Sequence, residues 1–230
     1  HPLNLTSFPT RRSSDLTEEK FPKGKVACLW IPVPETDANG SQTVSPSSIK
    51  YTAKHATELK ITTDSAGNKA LYVKWDENTD PKDRTVDFSF NVVRREIIRP
   101  ANMQALEKGT VDKEKMAPYL NETKRSGSLT SGIVKETADK IVKDAHATTV
   151  YKKAYAIYDW VCENLRRDNS TPAIGSGDVQ YILKNTDKGI GKCTDVNAVF
   201  VALCRAEGIP ARSVYGLKLN AMIDNPNTPY

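Results

Sequence analysis

The chain of 230 residues is long enough for one large domain or two small ones. Its 38% hydrophobic and 27% charged residues are ordinary for a globular protein and exclude a disordered or fibrous chain. The net charge is +5, with scattered basic residues and no nucleic-acid recognition motif, which favours a mildly basic surface over a nucleic-acid partner. No apolar run approaches the roughly 20 residues that a membrane span needs.

The first sixteen residues do not read as a natural N-terminal element. The stretch SFPTRRSSDL (7–16) matches the translation of the end of a common sequencing adapter. We therefore expect residues 1–16 to be an adapter-derived segment or a disordered tail that packs against nothing. The natural N-terminus would then be missing, and the absence of a signal peptide would say nothing about the compartment.

Residues 22–100 are predicted to form an antiparallel β-sandwich. Short runs of apolar or alternating residues are separated by turn signals, which is typical of such a domain. The predicted strands are 25–34, 57–64, 69–75 and 85–97.

After Pro100 the spacing of apolar residues changes from the alternation of strands to the spacing of helices. This change predicts a second module and an overall α+β fold. Residues 101–128 are polar and irregular, as expected of a linker that holds one short helix. Residues 129–230 form the second module, where helical spacing of apolar residues predicts several helices. They are 129–147, 149–168, a short one within 175–185 capped near Asp178, and 193–208, followed by a strand at 209–220.

Cys193 follows a glycine loop and opens a strongly apolar helix. The free N–H groups and the dipole at a helix start favour an anion, and the cationic Lys192 beside the thiol favours it further. Gly191 allows a substrate backbone to come close. The backbone N–H of Cys193 can stabilise an oxyanion. These features are typical of a thiolate nucleophile.

The other cysteines are interpreted as small apolar residues of the core. Cys28 lies in a predicted strand, and Cys162 and Cys204 lie within the apolar stripes of predicted helices. The absence of CxxC spacing and the wide separation of the histidines argue against a metal site, and no cofactor motif is found.

The segment GKCTDVNAVFVALCRAEGIPARSVYG (191–216) resembles the core motif of the bacterial transglutaminase-like superfamily. The family pattern is G-x-C-x-D, an apolar helix, and R-A-x-G-I-P-A-R. The segments AIYDWVCENLRRD (156–168), GSGDVQYIL (175–183) and LWIPVP (29–34) resemble other parts of bacterial members. The matched motif positions are Gly191, Cys193, Asp195, Phe200, Leu203, Arg205, Gly208, Ile209, Pro210, Ala211 and Arg212.

The resemblance implies a papain-like core in which a Cys-His-Asp triad attacks peptide or protein amides through a thioester, with hydrolysis favoured over crosslinking. The family's histidine and aspartate lie on strands beyond the matched segment, so the chain is expected to be an incomplete core without turnover by itself. His55 and His146 match neither position. Family analogy favours a periplasmic or secreted location. The alternative is a non-catalytic module that binds a protein or the cell wall.

Two further residues are candidates for the surroundings of Cys193. Asp195 matches the family's acidic position after the nucleophile, but we interpret it as a helix cap and a partner of the helix dipole. Trp160 is a candidate to flank the site because family members often place an aromatic there, although an aromatic residue in a helical stripe usually belongs to the core.

Overall fold

The structure is a computed structural model that describes residues 3–5, 23–37, 40–65, 67–95, 102–121, 130–168, 170, 175–186 and 191–215. The chain divides into two compact units, residues 1–100 and residues 101–230. The described part of the first is built from strands and that of the second from helices, which confirms the α+β class.

The strands of the first unit pair antiparallel. The described strands are β1 Leu3–Leu5, β2 Ala27–Pro32, β3 Gln42–Val44, β4 Lys50–Ala53, β5 Glu58–Thr63, β6 Lys69–Trp75, β7 Val86–Ser89 and β8 Val92–Arg94. They form three sheets with the strand orders β1-β8-β3, β2-β6-β5 and β4-β7.

The alternation of β6 organises the core of this unit. Leu71, Val73 and Trp75 are fully buried, and the residues between them face the other side of the sheet because strand side chains alternate. The indole Nε1–H of Trp75 donates to the Lys54 carbonyl at 2.8 Å, so the largest buried ring has its polar group satisfied. Buried residues of β2, β3, β7 and β8 join the same cluster. The two-sheet sandwich itself stays a prediction.

The single strand predicted at 85–97 is wrong. The chain changes partner at Phe90 and Asn91, so β7 pairs with β4 and β8 pairs with β3. The break is held by the turn before β4, where Ser48 Oγ accepts the Asn91 N–H at 2.8 Å and the Ser45 N–H donates to the Asn91 carbonyl at 3.2 Å. β3 and β4 were not predicted, because they are short and their alternation is weak.

The expectation that residues 1–16 pack against nothing is wrong for Leu3–Leu5. Their backbone pairs antiparallel with β8, opposite residues 92–94. A strand at the edge of a sheet offers unpaired backbone groups to any extended segment, so the pairing does not depend on a particular side chain. The adapter-like stretch 7–16 lies outside the described residues.

Most of the described helices of the second unit pack around one apolar core. The short helix predicted in the linker and the helices predicted in the second module are confirmed, with shorter bounds. They are α1 Met103–Glu107, α2 Ile133–Asp144, α3 Val150–Asn164, α4 Val179–Leu183 and α5 Cys193–Ala206. The core joins Val134 and Ala138 of α2 to Ile157 of α3 and to Val199 and Leu203 of α5.

The buried face of α3 differs from the apolar stripe that helical spacing predicts, which consists of Tyr151, Ala154, Tyr155, Tyr158, Val161, Cys162 and Leu165. Ile157 and Val161 are buried, whereas Tyr155 and Tyr158 are 53% and 55% exposed. A tyrosine in an apolar stripe is an ambiguous signal, because its ring can cover the helix surface while its hydroxyl meets water.

Ion pairs with one buried glutamate join the ends of the long helices. The Glu207 carboxylate is 4% exposed and accepts from Lys135 Nζ of α2 at 3.2 Å and from Lys153 Nζ of α3 at 2.7 Å. Two cations from two helices therefore compensate one buried anion at the end of α5, which favours a single arrangement of the bundle.

The strand predicted at 209–220 is not formed over residues 209–215, and residues 216–220 lie outside the described part. A strand requires a neighbouring strand for its backbone bonds, and none is present among the described residues of this unit. The Ala211 N–H instead donates to the Tyr119 carbonyl at 3.0 Å. Part of the predicted linker 101–128 thus packs on the helical unit.

Candidate functional site

Cys193 is the first residue of α5, and its side chain is exposed. The extended backbone of Lys192, with φ −111° and ψ −167°, leads into the helix. Asn197, one turn later, donates its side-chain N–H to the Cys193 carbonyl at 2.7 Å. The first N–H groups of a helix have no partner within it, so the thiol stands at an end of positive potential that is open to solvent.

Asp195 gathers backbone N–H groups from two parts of the chain. Its Oδ2 accepts from the Lys192 N–H at 2.8 Å, which is the capping role expected from the sequence. Its Oδ1 accepts from the N–H groups of Ser176 and Gly177 at 2.9 and 2.7 Å. The residue is only 2% exposed, so these donors replace the water that a carboxylate otherwise requires.

Two glycines leave the space that this carboxylate occupies. Gly175 has φ +101°, and a Cβ there would lie 1.9 Å from Asp195 Oδ2. Gly191 has φ +105°, and a Cβ there would lie 2.4 Å from the Asp195 Cβ. Both positions require glycine for conformation and for space. From the sequence, Gly191 was expected only to let a substrate backbone come close, and no role was predicted for Gly175, Ser176 or Gly177.

The segment before Cys193 is also tied to the end of α3. The Asp168 N–H donates to the Gly191 carbonyl at 2.8 Å. Asp178 accepts the Tyr181 N–H at 3.0 Å and caps α4, as expected. The structure therefore brings Gly191, Lys192, Cys193 and Asp195 together with the loop 175–177, which the sequence treated as a separate connection.

Trp160 packs against the apolar core of the helical unit. It is half-buried on α3 and contributes to a groove of about 560 Å³ between α2 and α3. That Trp160 flanks Cys193 stays a prediction. The groove is otherwise lined by Glu136, Thr137, Lys140, Ile141, Asp144, Ala145, Ala156, Asp159 and Glu163.

The second half of the motif, residues 205–212, holds the segment after α5 in place. Arg205 is 8% exposed and donates to the carbonyls of Ala211 at 2.8 Å and Asn121 at 2.7 Å. Gly208, with φ +71°, ends α5 in the left-handed conformation that favours glycine. The Arg212 guanidinium lies 5.7 Å from the ring centre of Tyr119. These contacts fasten the segment after α5 to the helical unit.

The remaining cysteines differ in accessibility. Cys204 is buried, as predicted, and burial raises the pKa of its thiol to about 12. Cys28 is half-buried in β2, with its Sγ 3.4 Å from the hydroxyl of Tyr72. The prediction that Cys162 is a core residue is wrong, because its side chain is exposed on α3.

In the folded chain we expect iodoacetamide to modify Cys193 and Cys162 and to spare Cys204 up to about pH 9. Only the thiolate is nucleophilic, and the raised pKa keeps Cys204 protonated below about pH 12. Peptide mapping by mass spectrometry after timed labelling measures each site, and labelling in denaturant provides the control in which every cysteine reacts. Equal rates at Cys204 and Cys162 in the folded chain would contradict this expectation.

No described helix is long and apolar enough to span a membrane. Within the described ranges, no group of three or more histidine, cysteine, aspartate or glutamate side chains is arranged to hold a metal ion. The described histidines lie in turns with positive φ, His55 after β4 and His146 after α2.

Comparison with known proteins finds a family match in the second part of the chain. Residues 135–227 match the transglutaminase-like superfamily. An uncharacterised protein of Haemophilus influenzae is 37% identical over 213 residues, which are 90% of this chain and 54% of the relative. The chain thus spans about half the length of this curated relative.

A similarity to a solved structure is weaker. A candidate protease from Parabacteroides distasonis aligns with 90% of this chain and 35% of its own, at 16% identity and a TM-score of 0.29. These values are too low to support an argument about fold or activity.

Proposed function

We propose that Cys193 is the nucleophile of a thiol acyl-transfer reaction on peptide or protein amides, with water as the favoured acceptor. The observation that carries the proposal is the exposed thiol at the first residue of α5, within the segment that matches the transglutaminase-like superfamily. A thiol in that position has the electrostatic support of the helix start and free access for a substrate.

The chemistry follows from this position. The thiolate Sγ attacks the amide carbonyl carbon, and the carbonyl oxygen becomes an oxyanion that the backbone N–H of Cys193 can stabilise. Collapse breaks the C–N bond, and the amine leaves with a proton. The resulting thioester is attacked by water, which releases a carboxylic acid and restores the thiolate. The resemblance implies a histidine as proton carrier, and neither His55 nor His146 is proposed for that role.

The nucleophile can be tested without the proton carrier. A peptide p-nitrophenyl ester is a suitable acyl donor, because nitrophenolate leaves without being protonated. We expect one acyl group on Cys193, detected by mass spectrometry after acid quenching and released by hydroxylamine as a hydroxamate. Cys162, which is also exposed but does not lie at a helix start, serves as the internal comparison.

The same reaction distinguishes the acceptors. When the acylated chain is incubated with and without a primary amine, a free peptide acid as the main product supports hydrolysis, and a peptide amide supports crosslinking. Acylation of Cys162 and Cys193 at equal rates would contradict the proposed nucleophile and favour the non-catalytic binding module.

A further inference from the structure

We infer that Asp195 is a positioning residue, whose carboxylate holds the loop 175–177 across the first turn of α5 as one wall of the Cys193 site. The inference rests on the proposed function of Cys193. It assigns to Asp195 a task beyond capping its own helix.

The hydrogen bonds of Asp195 exceed what a helix cap requires. A cap accepts N–H groups of its own helix start, and Oδ2 does so through Lys192. Oδ1 accepts instead from Ser176 and Gly177, which lie 19 and 18 positions earlier in the chain. The Asp195 side chain therefore joins the start of α5 to a backbone segment that is distant from it in the sequence.

The tight space around the Asp195 carboxylate leaves the loop 175–177 few other positions. The carboxylate is nearly excluded from water, and the close approach of the two segments depends on Gly175 and Gly191, which have no side chains. If the loop moved away, the carboxylate would lose two of its donors and would have to be hydrated again. The contacts thus favour one arrangement of the loop over many.

That arrangement places the loop against the first turns of α5, which begins at the nucleophile. A Cβ built on Gly177 would lie 3.7 Å from Thr194 Cγ2 and 4.0 Å from Ala198 Cβ, so the loop crosses α5 next to the residue that follows Cys193. A peptide that approaches the exposed thiol meets this loop, whereas a small reagent does not depend on it. Loss of the wall is therefore expected to affect long and short reagents differently.

Alkylation rates of Cys193 by two reagents test the inference. The first reagent is iodoacetamide, and the second is an iodoacetylated tetrapeptide of alanine and glycine. For Asp195→Ala we expect the peptide-to-iodoacetamide rate ratio to fall about tenfold or more. For Asp195→Asn, which keeps one acceptor oxygen, we expect a partial recovery of the ratio. The control is Thr149→Ala, which removes the side chain that caps α3 at the Lys152 N–H and should leave the ratio unchanged.

An unchanged ratio in Asp195→Ala, at whatever melting temperature, would overturn the positioning role and leave a structural cap. If Cys193 of the unaltered chain reacts with iodoacetamide no faster than Cys162, the proposed function fails instead. Hydrogen exchange on the unaltered chain tests the contacts should the variants not fold. The Ser176 and Gly177 amides should exchange at least about tenfold more slowly than their intrinsic rates, and unprotected exchange would overturn the inference.

Discussion

Acylation by the activated ester is expected to disappear when Cys193 is replaced by alanine. The methyl group of alanine cannot form a thioester, and removal of a covalent nucleophile from an enzyme costs on the order of 10⁴-fold or more in rate. Stopped-flow measurement of nitrophenolate release should show a burst equal to the protein concentration in the unaltered chain and none in Cys193→Ala.

The exposed Cys162 supplies the matched control for this experiment. Cys162→Ala removes the other exposed thiol of the helical unit, on α3, and is expected to leave the burst unchanged. The side chain of Cys193 lies at the surface, so Cys193→Ala should keep its melting temperature and circular dichroism spectrum. A burst that survives in Cys193→Ala and is lost in Cys162→Ala would transfer the nucleophile to α3.

Replacing Gly191 by alanine is expected to destabilise the helical unit by about 3 kcal/mol or more. The new Cβ would lie 2.4 Å from the Asp195 Cβ, an atom close to the helix backbone that cannot rotate away. The positive φ of +105° adds conformational strain, since L side chains avoid that region. Denaturation by urea, followed by circular dichroism at the helical wavelength, measures the loss.

Gly208→Ala separates the two causes. Gly208 also has a positive φ, of +71°, but a Cβ there would meet nothing within 4 Å. This variant therefore carries conformational strain alone, about 1 kcal/mol. If both variants lose the same free energy of unfolding, close packing at Gly191 contributes nothing and the geometry around Asp195 is looser than described.

Local signals explain the parts of the fold that the sequence predicted. The spacing of apolar residues in α2 and α5 and the glycine at the end of α5 act over three or four positions, which is the range of helical hydrogen bonding. The same range covers the glycine, lysine and cysteine that open α5. Together with the resemblance of residues 191–216 to a known motif, these local signals were enough to propose Cys193 as the nucleophile without any knowledge of tertiary contacts.

The sequence was less reliable for features that depend on which neighbouring element packs against a helix or pairs with a strand. The exposure of Cys162 and Tyr158 on α3 depends on which face of the helix its neighbours cover, and apolar spacing alone cannot decide between two adjoining stripes. The division of 85–97 into β7 and β8 likewise arises because each half pairs with a different strand. A one-dimensional pattern shows that a strand exists but not when it changes partner.

The sequence by itself determined the α+β order of the chain, the helix that begins at Cys193 and the glycine loop before it, because each rests on interactions between close neighbours along the chain. Only the tertiary structure decided what Asp195 does. Its partners Ser176 and Gly177 are nearly twenty positions away, and their N–H groups reach the carboxylate only after α4 and α5 have packed together. A buried charge selects such distant partners because leaving it without donors is far more costly than ordering the loop that supplies them.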